Sequence, residues 1–123
     1  MAVRVKLDQS KINKLIQAQN KALEMTAWAI VSDIVSSQVV PFDVGTLERS
    51  VYVEAEGILA AVGFNTPYAR RLYFHPEYRF RTDKNPNAQG RWMDMYLKGG
   101  DKETFAQDTF TKFLKQLAGG IIK

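Results

Sequence analysis

Between Tyr68 and Arg81 the chain alternates rings with guanidinium groups: Tyr68, Arg70, Arg71, Tyr73, Phe74, His75, Tyr78, Arg79, Phe80 and Arg81. Such a run can bury its aromatics and arginines against another protein, since both types are enriched at contacts that exclude water. It can also turn its rings inward as core and leave the arginines solvated. A third use is nucleic acid, with bases stacked on the rings and phosphates on the arginines. The residue types favour the three in that order. From Arg70 to Arg91 the bases are Arg70, Arg71, Arg79, Arg81, Lys84 and Arg91 against Glu77 and Asp83 only. That balance supplies phosphate contacts, but no helix patterned to read bases accompanies it, so any DNA binding is expected to be weak and electrostatic.

Other chemistry finds little footing. His75 is the one histidine, and its neighbours Pro76 and Glu77 lack the helical spacing of metal ligands. Ser50 or Thr46 could be combined with His75 and an aspartate, yet neither hydroxyl sits in a nucleophile elbow. No pair of carboxylates is marked for acid and base roles. Cysteine is absent, which removes disulfides and thiolates. The sequence therefore predicts a protein that is not an enzyme, with no cofactor and no metal.

These residues must be positioned by the elements around them, and the organising point is Val40 to Ser50. Pro41 pushes Val40 out of helical geometry, and Gly45 permits a positive φ. Asp43 can bond to the amides that follow it, and Thr46 can cap one turn made of Leu47, Glu48 and Arg49, with Ser50 closing the corner. Before it, Ile12, Ile16, Leu23, Ala27, Ile30 and Ile34 recur at helical spacing, widened by Leu15, Trp28, Val31 and Val35. A helix capped by Ser10 or Asp8 and ending near Val39 follows, too long for the core beneath it, so its first half should project. Val3, Val5 and Leu7 alternate with Arg4 and Lys6 as a short edge strand would.

After the corner, Val51–Ala55 and Ile58–Phe64 flank Gly57 as a hairpin whose second strand is the more apolar. Thr66 can cap a short helix through Leu72 with Pro67 at its first position, and Tyr78–Thr82 alternates like a further strand. Asp83–Gly100 is polar and turn-rich. It reads as an excursion outside the core, poorly ordered alone, whose Trp92, Met95 and Tyr96 await burial by a neighbour. A second amphipathic helix, opened by Asp101, carries Ala106, Phe110, Phe113 and Leu117 on one face and stops at Gly119-Gly120. The fold class is α+β: a long N-terminal helix and a C-terminal helix packed on a small, mainly antiparallel sheet, one domain over 123 residues.

The net charge of +4 favours polyanions without deciding a function. No run approaches the roughly 20 apolar residues needed to cross a bilayer, and the first residues lack the apolar core of a signal peptide, so neither membrane insertion nor export is predicted.

Several blocks occur together in order: Val40-Pro41-Phe42-Asp43, Gly45-Thr46-Leu47 with Ser50, then Thr66-Pro67-Tyr68-Ala69-Arg70-Arg71-Leu72-Tyr73-Phe74-His75-Pro76-Glu77, and Asn85-Pro86-Asn87-Ala88 before Trp92. In these blocks the chain resembles the minor capsid or head-tail joining proteins of tailed bacteriophages. It departs from them at Val44, where threonine is usual. The resemblance implies a virion component without enzymatic activity or cofactor, assembled in the host cytoplasm and placed at the neck between capsid and tail. Its partners would be identical copies in a ring and other head and tail proteins. The surface expected to carry those contacts is Tyr68, Arg70, Arg71, Tyr73, His75, Tyr78, Arg79, Arg81, Trp92 and Tyr96, with Pro41, Asp43, Gly45, Thr46, Leu47 and Ser50 as the structural corner.

Overall fold

Helix α1 runs over Gln9–Ser37, 29 residues and so about 43 Å at 1.5 Å each. These are the bounds in a computed structural model that describes residues 2–42 and 45–119. Asp8 rather than Ser10 caps it, its carboxylate accepting from the Lys11 amide at 3.2 Å. Its buried face is made of small side chains in the first half (Ala18, Ala22, Thr26, Ala27) and larger ones in the second (Val31, Ile34). The Thr26 hydroxyl is satisfied within the helix by the Ala22 carbonyl at 2.7 Å.

Those small residues let a second helix approach. Helix α4, Phe105–Ala118, packs along α1, with Phe110 and Phe113 half-buried and Ala118 buried. Its docking is pinned just before it begins. Lys102 places its ammonium 2.6 Å from Asp33 and 3.2 Å from the Ser37 hydroxyl, and the Tyr96 hydroxyl donates to the same Asp33. Because α4 starts beside the C-terminal end of α1, it runs back antiparallel to it. The expected Asp101 cap is not formed; the cap position is Thr104, without a side-chain bond.

The sheet has two antiparallel strands, β1 Val51–Glu56 and β2 Leu59–Phe64, joined by Gly57-Ile58. Val51 faces Phe64 and Val53 faces Val62, so the side-chain period of two puts these together on the half-buried face, with Tyr52, Glu54 and Glu56 on the other. The fold is thus α+β as the change of period predicts, with α1 across the hairpin and α4 along α1. Residues 3–7 do not join the sheet: they have no regular secondary structure and are exposed and unpaired among the described residues. Nor is Tyr78–Thr82 a strand, since an alternating pattern needs a neighbouring edge and none lies beside it.

At the corner, Gly45 has φ +82°, and a Cβ there would fall 2.6 Å from the Arg49 guanidinium and 2.8 Å from the Phe42 ring. Glycine itself, not Thr46, occupies the cap position of α2, Thr46–Arg49, whose Leu47 is buried. The Ser50 hydroxyl donates to the Leu47 carbonyl at 2.6 Å and accepts from the Asn65 amide at 3.2 Å, tying the corner to the far end of β2. Asp43 lies outside the described residues.

The core gathers Ile34, Val39, Val40, Leu47, Ala69 and Trp92, with Ile30, Phe64, Leu72, Tyr73, Met93, Met95 and Tyr96 packed around them. Segment 83–100 is therefore not an excursion from the core. Trp92 is 1 % exposed and stands edge-on to Phe64 at 5.5 Å and to Tyr73 at 4.9 Å.

The same segment completes the end of α1, where helix carbonyls lack partners. Gln38 turns left-handed at φ 56°. The Asn87 amide group then donates to the Ser37 carbonyl at 2.9 Å, the Gln89 backbone N–H to Val39 at 2.9 Å, and buried Asn85 to Val40 at 2.9 Å. Asn85 also donates to Glu48 at 3.2 Å, so one side chain joins the helix end to α2. Gly90 is buried because Pro76 crosses it closely; a Cβ would lie 2.7 Å from the Pro76 backbone.

Candidate assembly surface

Helix α3, Ala69–Tyr73, is only five residues long, and its register sorts the ring and arginine run into two sides. Ala69 is buried and Leu72 half-buried, which turns Arg70 and Arg71 outward. Thr66 does not cap it; Tyr68 holds the cap position without a side-chain bond, and the Thr66 carbonyl accepts from the Ala69 amide at 3.3 Å. The following Phe74 ring, half exposed, is flanked by two guanidinium groups, Arg70 at 5.8 Å and Arg91 at 5.2 Å from its centre. Arg91 is held there by its own backbone N–H to the Tyr73 carbonyl at 2.9 Å and by an ion pair with Asp94 at 3.4 Å.

Next to these residues lies a second ring cluster. His75 stacks on Tyr78 with ring centres 4.7 Å apart and 8° between planes, and Arg71 reaches the Tyr78 hydroxyl at 3.4 Å with its guanidinium 6.0 Å from the ring. His75 Nδ1 meets Glu77 at 2.8 Å, and that hydrogen bond holds the Glu77 carboxyl below the usual carboxylate range. Beyond it Arg81 grips Asp83 through Nε at 3.2 Å and Nη2 at 2.8 Å, which likewise lowers Asp83. Arg79, Phe80 and Arg81 form the rim of a groove of about 400 Å³ whose floor is Pro41, Leu47 and Leu72, with Tyr68 at one side.

Two tyrosines of the expected surface are committed inward. Burial, then the Asp94 carboxylate that accepts its hydroxyl, raises Tyr73 far above the ordinary tyrosine range; burial and Asp33 do the same to Tyr96. Both hydroxyls stay protonated and donate. Trp92 is removed from the surface altogether by its burial in the chain's own core, since a neighbour cannot cover a ring that is already covered. Tyr68, Arg70, Arg71, His75, Tyr78, Arg79 and Arg81 are all at least partly exposed within one segment.

Phe74 and Arg91 belong with them; the sequence places both in the ring and arginine run but not in the expected contact surface. The signal was present: Arg70 and Phe74 are four apart at a helix end, the spacing that brings side chains together. Asp33, Asn85, Asn87 and Lys102, which tie the end of α1 to residues 85–102, carried no such local sign.

The hydroxyl, histidine and carboxylate combinations weighed from the sequence are not assembled among the described residues. Ser50 is spent on the corner, His75 partners Glu77 and Tyr78 rather than either hydroxyl considered above, and among the described residues no three His, Asp or Glu groups converge as metal ligands. Among the described residues no helix is long and apolar enough to cross a membrane. What the fold and this surface define is a small α+β protein presenting a pre-ordered face of arginines and rings. The chain belongs to the minor capsid protein family, whose model matches residues 3–112 of its 123. It is a structural protein of a bacteriophage and a component of the virion. Neither a curated protein nor a solved structure matches it.

Proposed function

We propose that this protein is a non-enzymatic neck subunit of a tailed phage, joining capsid to tail as a ring of identical copies assembled in the host cytoplasm and seated against other head and tail proteins. The observation that carries this reading is the exposed cluster of Arg70, Phe74 and Arg91 beside Arg71, Tyr78 and His75. Arginine and aromatic side chains dominate protein contacts, and here they already lie against one another, an arrangement that would lower the entropy lost on docking. Head-to-tail contacts between identical subunits close into rings when the rotation permits.

Contact with DNA takes second place. Arg71, Arg81 and Arg91 are each engaged with a hydroxyl or carboxylate of the chain itself, so phosphate would have to compete with partners already in place. Binding to duplexes should be sequence-independent and fade between low and physiological salt.

The test is electron cryo-microscopy of particles carrying an epitope-tagged copy, together with Arg71→Ala/Phe74→Ala. The tag is expected at the tail vertex. Loss of two anchoring side chains, each of about 2 kcal/mol, should reduce joined particles by tenfold or more while the melting temperature of the isolated chain stays nearly unchanged. A tag spread over the capsid lattice, or undiminished joining in the double variant, would refute the reading.

A further inference from the structure

The hairpin leaves one edge of each strand without a strand partner among the described residues, and the segment before α1 is a strand pattern without a sheet. Val3, Val5 and Leu7 are 95 %, 82 % and 69 % exposed, so the described residues leave them largely uncovered. An open edge with unpaired backbone groups is a template for another strand, and whether it is used depends on the side chains along it.

The two edges differ. β2 reads Leu-Ala-Ala-Val-Gly-Phe and carries no charge. β1 reads Val-Tyr-Val-Glu-Ala-Glu, with Val51 and Val53 on the half-buried face and Glu54 and Glu56 exposed on the other. Residues 3–7 read Val-Arg-Val-Lys-Leu, the same alternation with the opposite charge. Laid beside β1 with the apolar faces together, this segment necessarily puts Arg4 and Lys6 on the side of Glu54 and Glu56. Among the described residues none of these four has an ion-pair partner within the chain.

In this structure the segment does not pair with its own hairpin: among the described residues no third strand joins β1, and Val3, Val5 and Leu7 stay exposed. A second β1 is unsuited as occupant, because pairing two such edges sets glutamates against glutamates.

We propose that residues 3–7 add as a third strand to the outer edge of β1 in a neighbouring copy of this chain. The bond is heterologous, strand of one subunit to edge of the next, so each copy both gives and receives; this is the connectivity a closed ring requires. It rests on the self-association put forward above and names the contact that makes it. The charges also choose the partner surface, favouring β1 over β2 and over a like-charged edge.

The absence of native cysteine makes the contact directly readable. Lys6→Cys/Glu54→Cys reports an antiparallel addition and Lys6→Cys/Glu56→Cys a parallel one. Oxidised in assembled particles, one of the two is expected to give a ladder of linked chains on a non-reducing gel. A monomer band in both, whether unlinked or linked within one chain, overturns the proposal.

Arg4→Glu/Lys6→Glu should weaken subunit association on the order of tenfold, as two cross-strand pairs change from attraction to repulsion. Adding Glu54→Lys/Glu56→Lys should restore it, and failure to restore it overturns the proposal. Deleting residues 2–7 should leave the melting temperature nearly unchanged, since they are exposed, while removing the ladder partner; rings that persist after that deletion reject the strand and leave the neck reading standing. Tagged chains found away from the tail vertex but still laddering reject the neck reading and leave the strand standing.

Discussion

Replacing Trp92 by alanine separates two uses of the same ring. The side chain is 1 % exposed and wedged between Phe64 and Tyr73. Truncating a buried tryptophan costs about 3–5 kcal/mol through lost burial and the cavity left behind. Each edge-to-face ring pair accounts for about 0.5–1.5 kcal/mol of such a loss. Among the described residues the indole N–H has no acceptor, so the variant strands no polar partner and the cost should sit in the lower half of that range, about 3–4 kcal/mol. With an unfolding entropy near 2.1 cal/mol/K per residue over 123 residues, each kcal/mol lowers the melting temperature by about 4 °C, giving a fall of about 12–16 °C. Thermal and urea unfolding followed by circular dichroism measures it. Trp28→Ala is the control: that ring is 50 % exposed and should cost about 1 kcal/mol. If Trp92→Ala melts no lower than Trp28→Ala yet fails to assemble, the ring docks on a neighbour and the core described above is wrong.

Gly45→Val introduces a Cβ into a left-handed position already crowded by Phe42 and Arg49, and should lower stability by about 1–3 kcal/mol in urea titration. Asn85→Ala strands the buried Val40 carbonyl and should cost about 1–3 kcal/mol, whereas exposed Asn87→Ala should cost less than about 1 kcal/mol; equal effects would contradict the difference in burial. For Asp33, burial pushes the carboxyl up, but hydrogen bonds from Lys102 and Tyr96 outweigh it and leave the group below its ordinary 3.8. A depressed carboxyl adds stability that is complete above its unfolded value and disappears as pH falls through the folded one. Asp33→Asn should therefore be less stable than wild type at neutral pH by about 1 kcal/mol, with the gap closing below about pH 4; a gap that stays constant into acid would exclude the ion pair as its source.

What the sequence made legible was whatever is encoded within a few residues. The period of Ile12 to Ile34 and the alternation of Val51 to Phe64 each reflect contacts on one face of one element, and both gave the right element within a residue or three of its ends. Gly45 was legible because a positive φ is a local demand. Residues 3–7 and 78–82 show the limit of the same rule: alternation declares a strand's faces but not whether an edge lies beside it.

Segment 83–100 was misread for a different reason. Asn85, Asn87 and Gln89 look like loop because they are polar, yet their partners are carbonyls near residue 38, and Trp92 owes its burial to Tyr73, Phe64 and Ile34. The exposed side of the Arg and ring run was visible as composition; which rings faced in was decided by α3 and Asp94.

The amides that finish the end of α1 lie up to 50 residues downstream of it. Closing a loop of that length costs on the order of 3–4 kcal/mol before its contacts give anything back. The last turn of α1 is thus made early and completed late. On a ribosome, the helix leaves the tunnel with the Ser37, Val39 and Val40 carbonyls bare, and water serves them until Asn85 to Gln89 have been synthesised and the intervening hairpin has folded under them. A protein this small gains from that delay a single cooperative transition. The helix end, the corner and the tryptophan all depend on the same late segment, so a half-made chain is expected to lack all three together.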